Sequence, residues 1–315
     1  MTKKYSSKNA AKSAPARPKM PDKRALESLL SALADGVDET PLERAQDLAW
    51  EAWDAPDRRK RVSLAKKALA ISPLCADAYV LLALNEAGTT EDALALYRKG
   101  VEAGEKALGK RAFREDVGHF WGIPETRPYM RARHGLATAL WELGAHDEAI
   151  AHYEALLALN PDDNQGIRYL LIDCLLILGR DVEAAKLLKR FGGEESTHWL
   201  WAGALARFRS AGDSDTARRA VALAQRANRY VAAYLLGRKK LPRRLPSYVS
   251  WGGEDEAAGY VAHTGADAWE ATPGALAWLH AQVYRPLRKE AKANSPATSR
   301  QSGRGMRRRV NSSSG

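Results

Sequence analysis

One periodic pattern governs the sequence: small and bulky apolar residues return at the same offsets in segments about 34 residues long. The clearest copy runs from Met130 to Pro161. Its repeated positions lie at helical spacing in two segments, with Leu136, Ala137 and Leu140 before a break at Gly144 and Ala149, Tyr153 and Leu156 after it. A chain with this period folds as a row of helical hairpins that bury their apolar faces against one another.

Four further copies follow the same pattern. The first begins at Leu42, carries a capping-box pattern at Thr40 and Glu43, and ends at Pro73 as the clear copy ends at Pro161. The helix pairs predicted in the other copies are 77–87 with 91–108, 166–178 with 182–191, and 198–210 with 213–228. Five pairs within residues 25–228 predict an all-α superhelix, and no run of alternating apolar and polar residues supports a sheet.

The spacing resembles that of tetratricopeptide repeats, in which a small residue lets two antiparallel helices approach, a large residue fills the gap, and a proline ends the pair. The resemblance implies a right-handed superhelix and a non-enzymatic scaffold whose concave face binds a partner peptide or helix. Ligand-facing side chains in such repeats come mainly from the first helix of each pair. Here those positions are Arg131, His134, Thr138 and Trp141 in the clear copy, and Gln165, Arg168, Ile172 and Leu175 in the next.

Chaperone-binding relatives clamp a peptide's terminal carboxylate with Lys and Asn at these positions, and this chain lacks that set. We therefore expect a different contact, in which the polar candidates hydrogen-bond an extended peptide or an acidic segment and Trp141 adds apolar area. The polar candidates are Arg131, His134, Asn164, Gln165 and Arg168. The alternative is that these side chains only solvate the concave surface or brace neighbouring repeats.

An aromatic stretch at residues 118–129 departs from the repeat. Phe120 and Trp121 either form a plug across the solenoid or make a contact surface together with His119 and Arg127. Thr126 is expected to cap the helix that follows.

A second departure covers residues 229–284, which we predict to form a helical C-terminal cap. Its elements are Tyr234-Leu235-Leu236, prolines, Gly253-Glu254-Asp255-Glu256-Ala257, Trp269 and Gly274-Ala275-Leu276. This order resembles the end of the suppressor-of-tumorigenicity-7 family, over roughly residues 110–280 and extending to the two repeats before them. The resemblance implies a tetratricopeptide-like fold and no known enzymatic activity. Animal members have membrane segments near the N-terminus, and this chain is expected to be a shorter, soluble, bacterial-type relative.

The net charge of +11 is unevenly distributed. Residues 1–24 hold eight Lys or Arg and one Asp, and residues 285–315 hold nine Lys or Arg and one Glu. The tails therefore carry +15 and the 260 residues between them carry −4. Both tails have few large apolar residues, so their composition predicts disorder. The alternative function is a nucleic-acid-associated adaptor that holds phosphate through these tails.

Motifs for catalysis and cofactor binding are missing from the sequence, which predicts no enzyme, no cofactor and no metal site. His146 and His152, near Glu142 and Glu148, are interpreted as surface polarity, and Asp162-Asp163-Asn164 as helix-start polarity. A weaker alternative is an enzyme that uses His119, Glu125 and His134. Cys75 and Cys174 are expected to fill core positions in a reduced, cytoplasmic protein. The longest apolar run, 169–178, contains Asp173, so no membrane span is expected. Pairing of two arrays through Trp251 and Trp269 is a further possibility.

Overall fold

The structure is a computed structural model that describes residues 39–245 and 248–284. The predicted tails at 1–24 and 285–315, and residues 25–38 of the predicted repeat region, lie outside the described residues. All regular elements in the described ranges are helical, which confirms the all-α solenoid. The helices are α1 (Pro41–Asp54), α2 (Arg58–Ile71), α3 (Ala76–Asn85), α4 (Thr90–Glu115), α5 (Arg127–Glu142), α6 (His146–Leu159), α7 (Ile167–Ile177), α8 (Asp181–Arg190), α9 (Thr197–Ala211), α10 (Asp215–Ala227), α11 (Val231–Leu235), α12 (Glu254–Tyr260), α13 (Ala266–Glu270) and α14 (Ala275–Val283).

The five predicted pairs are present as α1 with α2 through α9 with α10. The capping box forms as predicted: Thr40 N donates to Glu43 Oε2 at 2.7 Å and Glu43 N donates to Thr40 Oγ1 at 3.2 Å. Alanines at helical spacing, Ala45, Ala49 and Ala52, are buried on α1 because their small side chains let α2 approach closely.

Helix α4 is longer than the predicted 91–108. It continues through a kink at Gly109, whose φ of 67° suits glycine, to Glu115. The extension is stabilised because Phe113 packs against two aromatic rings, Phe120 at 5.3 Å and Tyr129 at 5.1 Å between centroids.

Helices α4 and α5 pack closely because Gly135 has no side chain. A Cβ built at Gly135 would lie 2.2 Å from the Tyr97 ring of α4, so only glycine fits beneath that ring. Gly104 similarly faces Tyr129, with a Cβ position 2.9 Å from the Tyr129 Cβ. These contacts fix how the second and third pairs meet.

The C-terminal segment folds back onto the first helices of the last two pairs. Helix α13 contacts α7, and α12 and α14 contact α9. Glu256, within the Gly-Glu-Asp-Glu-Ala motif, accepts hydrogen bonds from Gly252 N and Thr197 Oγ1, both at 2.7 Å. The motif therefore ties the segment to the start of α9.

The apolar core forms two clusters among the described residues. A small one joins α1, α2 and α3, and a large one continues from α3 to α14. Such a core, built between neighbours, is typical of a solenoid. Within the described ranges, no helix combines the length and apolarity needed to cross a bilayer.

Candidate interaction surface

The first helices of the pairs define the surface on which sequence reasoning placed the ligand. Helix α1 contacts α3, α3 contacts α5, and α7 contacts α9. We call the surface formed by α1, α3, α5, α7 and α9 the inner face.

Arg131 joins three pairs across the inner face. Its guanidinium donates from Nε to Asp77 Oδ1 at 2.7 Å and from Nη2 to Asp77 Oδ2 at 2.5 Å. Gln46 Nε2 donates to the same Oδ2 at 2.7 Å, and Asp77 is fully buried. The bidentate pair holds the Arg131 fork in place, so this side chain braces the repeats.

Arg168 is also engaged within the chain. It bonds Asp163 Oδ2 at 3.0 Å and Glu194 Oε2 at 2.6 Å, and its guanidinium lies 4.5 Å from the centre of the Tyr169 ring. Asp163 Oδ1 also accepts from Ile167 N at 2.7 Å and so caps α7, in line with helix-start polarity. Burial raises the pKa of Asp163 despite these hydrogen bonds.

The other inner-face candidates differ in their exposure. His134 packs edge-on against Tyr153 at 6.4 Å, and burial lowers the pKa of His134. Trp141 lies against His146 with centroids 4.3 Å apart. Asn164 is exposed. The Gln165 side chain is half-buried, and its Oε1 atom has no hydrogen-bond partner among the described residues.

The expectation that Ile172 and Leu175 face a ligand is wrong, because both are buried. They belong to the large apolar cluster, and helix α13 packs against their helix, α7.

The C-terminal segment also covers the inner face of α9. His198 packs edge-on against Tyr260, and Trp201 packs against Trp269 at 5.9 Å between centroids. Phe208 stacks on Trp278 at 4.6 Å. These rings occupy the place where a ligand of the last pair would lie.

The two tryptophans proposed for pairing of arrays differ in exposure. Trp269 is 0% exposed and cannot serve as a contact, whereas Trp251 is 83% exposed.

The aromatic stretch contains an inner and an outer part. Phe120 is buried between Phe113 and Tyr129, as a plug requires. Trp121 is half-buried beneath the Arg127 guanidinium, which lies 5.5 Å from its ring centre and donates from Nε to Trp121 O at 2.9 Å.

His119 on this stretch is exposed. Thr126 stands at the cap position of α5, but its side chain accepts no hydrogen bond from the helix N–H groups, which corrects the predicted cap. Its hydroxyl instead donates to Phe120 O and Ile123 O. Thr126 therefore closes the aromatic loop.

An open groove lies at the other end of the inner face, and we call it the N-terminal groove. Its volume is about 760 Å³. The start of α1, the start of α3, the middle of α4 and the start of α5 with its preceding turn form its walls. Its lining residues are Glu39, Thr40, Leu42, Glu43, Gln46, Asp47, Trp50, Leu74, Ala76, Gly104, Ala107, Leu108, Pro124, Glu125, Pro128 and Tyr129.

The lining of the N-terminal groove combines apolar and acidic side chains. Trp50 is 53% exposed, which is unusual for so large an apolar residue. Glu39, Glu43, Asp47 and Glu125 supply carboxylates, and the described lining residues include no Lys or Arg. A hydrogen bond with Asp47 raises the pKa of Glu39, so two of these carboxyl groups lie side by side.

Sequence reasoning missed this groove because its walls come from four elements. One signal was present: the offsets that select Arg131, His134 and Thr138 in the clear copy select Glu43, Gln46 and Trp50 in the copy beginning at Leu42. Those three side chains line the groove.

Comparison with known protein families agrees with this architecture. The tetratricopeptide repeat model matches residues 140–208, and the ST7 protein model matches residues 35–119. Residues 140–208 therefore resemble tetratricopeptide repeats, and residues 35–119 resemble ST7 proteins. A comparison with curated proteins found no match.

The ST7-like match covers the first two pairs and ends within the aromatic stretch. Most lining residues of the N-terminal groove fall within it. The C-terminal elements that carry the sequence resemblance lie outside the matched residues, and the match covers the N-terminal repeats.

The histidines weighed as metal ligands, His146 and His152, contact an aromatic ring and an arginine side chain. His152 Nδ1 accepts from Arg133 Nε at 3.2 Å, and His146 lies on Trp141. In the described ranges, no group of three or more His, Cys, Asp or Glu is placed to hold a metal ion. Cys75 and Cys174 are buried free thiols, and burial raises the pKa of Cys75 to about 11.

Proposed function

We propose that this protein is a non-enzymatic interaction scaffold that binds a segment of a partner protein in the N-terminal groove and along the adjoining inner face of α1, α3 and α5. The family matches support the coarser part of this proposal, since tetratricopeptide repeats generally mediate protein interactions. The open N-terminal groove supports the location of the binding site.

The difference in coverage along the inner face supports this binding site. The C-terminal segment covers the inner face, with aromatic rings over α9 and helix α13 over α7, whereas the groove beside α1 and α3 is open and exposes Trp50. Exposed aromatic side chains in grooves are frequent anchors for partner proteins, because they supply large contact area at a small entropic cost.

The partner-binding residues predicted from the sequence have two different roles in this proposal. Arg131 and Arg168 brace the array through their ion pairs. His134, Trp141, Asn164, Gln165, His119, Trp121 and Arg127 are kept as candidates for additional contacts with the partner. The reduced, cytoplasmic setting is also kept, because both cysteines are free.

Affinity capture from native lysate, with nuclease treatment and mass spectrometry, tests the proposal. The wild-type chain is compared with Trp50→Ala and with Trp251→Ala, a matched control in which an exposed tryptophan is removed from the opposite end. We expect a defined protein to be captured by the wild type and the control and lost from Trp50→Ala.

Capture that is equal for all three chains would contradict the site. Capture that disappears with nuclease would favour the nucleic-acid adaptor in place of the scaffold. Helical content measured by circular dichroism must be the same for the three chains, because Trp50 is half-exposed and its removal leaves the core intact.

A further inference from the structure

The N-terminal groove has a floor that favours apolar side chains. Leu42 and Trp50 of α1 face Ala107 and Leu108 of α4 across it, and Pro124 extends the apolar surface toward α5. A volume of about 760 Å³ lies within the range of about 300–1,000 Å³ of pockets that bury most of a bound group. The groove is therefore large enough for several side chains of a linear segment.

The charged residues described at the rim are all acidic. Glu39 and Asp47 lie on the α1 side and Glu125 lies on the opposite wall, before α5. Across the described residues, none of the three forms an ion pair with Lys or Arg, although the charge of Arg44 acts on Glu39 from nearby. A cationic occupant would gain the attraction that these carboxylates do not find among the described residues.

Three carboxylates elsewhere on the inner face are paired with arginine side chains. Asp77 receives both arms of Arg131, and Asp163 and Glu194 share Arg168. These three acidic side chains are thus each matched with a guanidinium. The rim carboxylates of the groove have no guanidinium partner among the described residues, and they surround an apolar floor.

We propose that the N-terminal groove binds a basic linear segment of a partner protein, with lysine or arginine side chains at Glu39, Asp47 and Glu125 and large apolar side chains on the floor beside Trp50. This inference rests on the proposed scaffold function and names the chemistry of its partner. It reverses the charge expected from the sequence, because the arginines that favoured an acidic segment are held by internal carboxylates.

Fluorescence anisotropy with short labelled peptides tests the proposal on the full chain. The first peptide alternates lysine with leucine, the second replaces each lysine by glutamate, and the third replaces each leucine by serine. We expect only the first to bind, with an affinity that falls as salt rises, because the rim carboxylates are solvent-exposed.

Charge variants locate the binding. Asp47→Asn with Glu125→Gln should weaken the lysine–leucine peptide about three- to tenfold, since exposed charge pairs contribute modestly. A matched double variant, Asp162→Asn with Glu195→Gln, removes two exposed carboxylates outside the groove and should bind like the wild type. Equal binding by both double variants would overturn the assignment to this groove.

The outcomes separate this inference from the scaffold function. Binding of the glutamate peptide in place of the lysine peptide would overturn the charge assignment and leave the scaffold function standing. Lack of binding by every peptide, while Trp50→Ala still loses the captured partner, would do the same.

The chain's own basic N-terminal residues are the competing occupant. Replacing Lys3, Lys4, Lys8 and Lys12 by Gln tests them. Tighter binding of the lysine–leucine peptide by this variant, by about tenfold or more, would assign the groove to the tail and overturn the proposal of a partner. Unchanged or slightly weaker binding supports the partner.

Discussion

Removal of the Arg131 side chain should destabilise the first three pairs of the array. Arg131→Ala leaves the fully buried Asp77 carboxylate with only the Gln46 amide as a described hydrogen-bond donor. Loss of one partner from a buried ion pair costs about 3–5 kcal/mol. Because the Arg131 side chain is itself 29% exposed, water can solvate part of the vacated site, and we expect the lower end, about 3 kcal/mol.

Thermal unfolding followed by circular dichroism measures this effect. For a chain of this size, about 3 kcal/mol corresponds to a fall in Tm of roughly 6–12 °C. A repeat array can unfold in parts, so amide hydrogen exchange should show the loss of protection concentrated in α1, α3 and α5, the helices that the network joins.

Two control variants test whether the buried ion pair causes this loss of stability. Arg98→Ala removes an arginine from an exposed pair with Glu148 and should change stability by about 1 kcal/mol or less. The double replacement Asp77→Leu with Arg131→Met should recover most of the lost stability, because it removes the buried charge. A Tm for Arg131→Ala within about 1 °C of the wild type would show that the network does not brace the repeats.

Three further predictions concern packing, pH and thiol reactivity. Gly135→Ala should cost about 1–3 kcal/mol in a urea unfolding experiment, because its Cβ would collide with the Tyr97 ring, whereas Gly259→Ala has open space and should be neutral or stabilising. Burial lowers the pKa of His134 below its ordinary 6.5, so the unfolded chain takes up the proton first. Stability should therefore fall as the pH drops through 6.5, and His134→Phe should flatten this slope in melts at several pH values. Cys75, whose pKa is raised to about 11, should react slowly with a thiol reagent at pH 7 until urea unfolds the chain.

Each of these has a result that contradicts it. Equal unfolding of the two glycine variants would mean that α4 and α5 are not in close contact at Tyr97. An unchanged pH slope in His134→Phe would assign the acid sensitivity to other groups, of which His152 is the first to examine because burial lowers its pKa too. Fast labelling of native chain would show that the thiol of Cys75 is accessible.

Local features of the fold could be predicted from the sequence because they depend on near neighbours. Glycines between the helices of a pair, Gly144 and Gly179, adopt positive φ of 80° and 73°, as a helix-ending residue requires. The alanine spacing of α1 and the capping box at Thr40 are equally local. Helical periodicity alone therefore predicts the pairs and their order.

Long-range contacts could not be predicted in the same way. Arg131 and Asp77 are 54 residues apart, and nothing in the sequence shows that they meet. An arginine at a ligand-facing offset can contact a partner or a neighbouring repeat, and only the position of Asp77 decides between the two. The N-terminal groove likewise needs the relative placement of four segments.

In the proposed function, the folded-back C-terminal segment limits the length of the partner segment that the array can recognise. Rings from this segment cover α9, and α13 covers α7, so three first helices, α1, α3 and α5, remain for a partner. Helices in contact lie about 8–10 Å apart, so the distance from α1 to α5 is roughly 20 Å. An extended chain advances about 3.3 Å per residue, so a segment lying straight across these helices is read over about six residues.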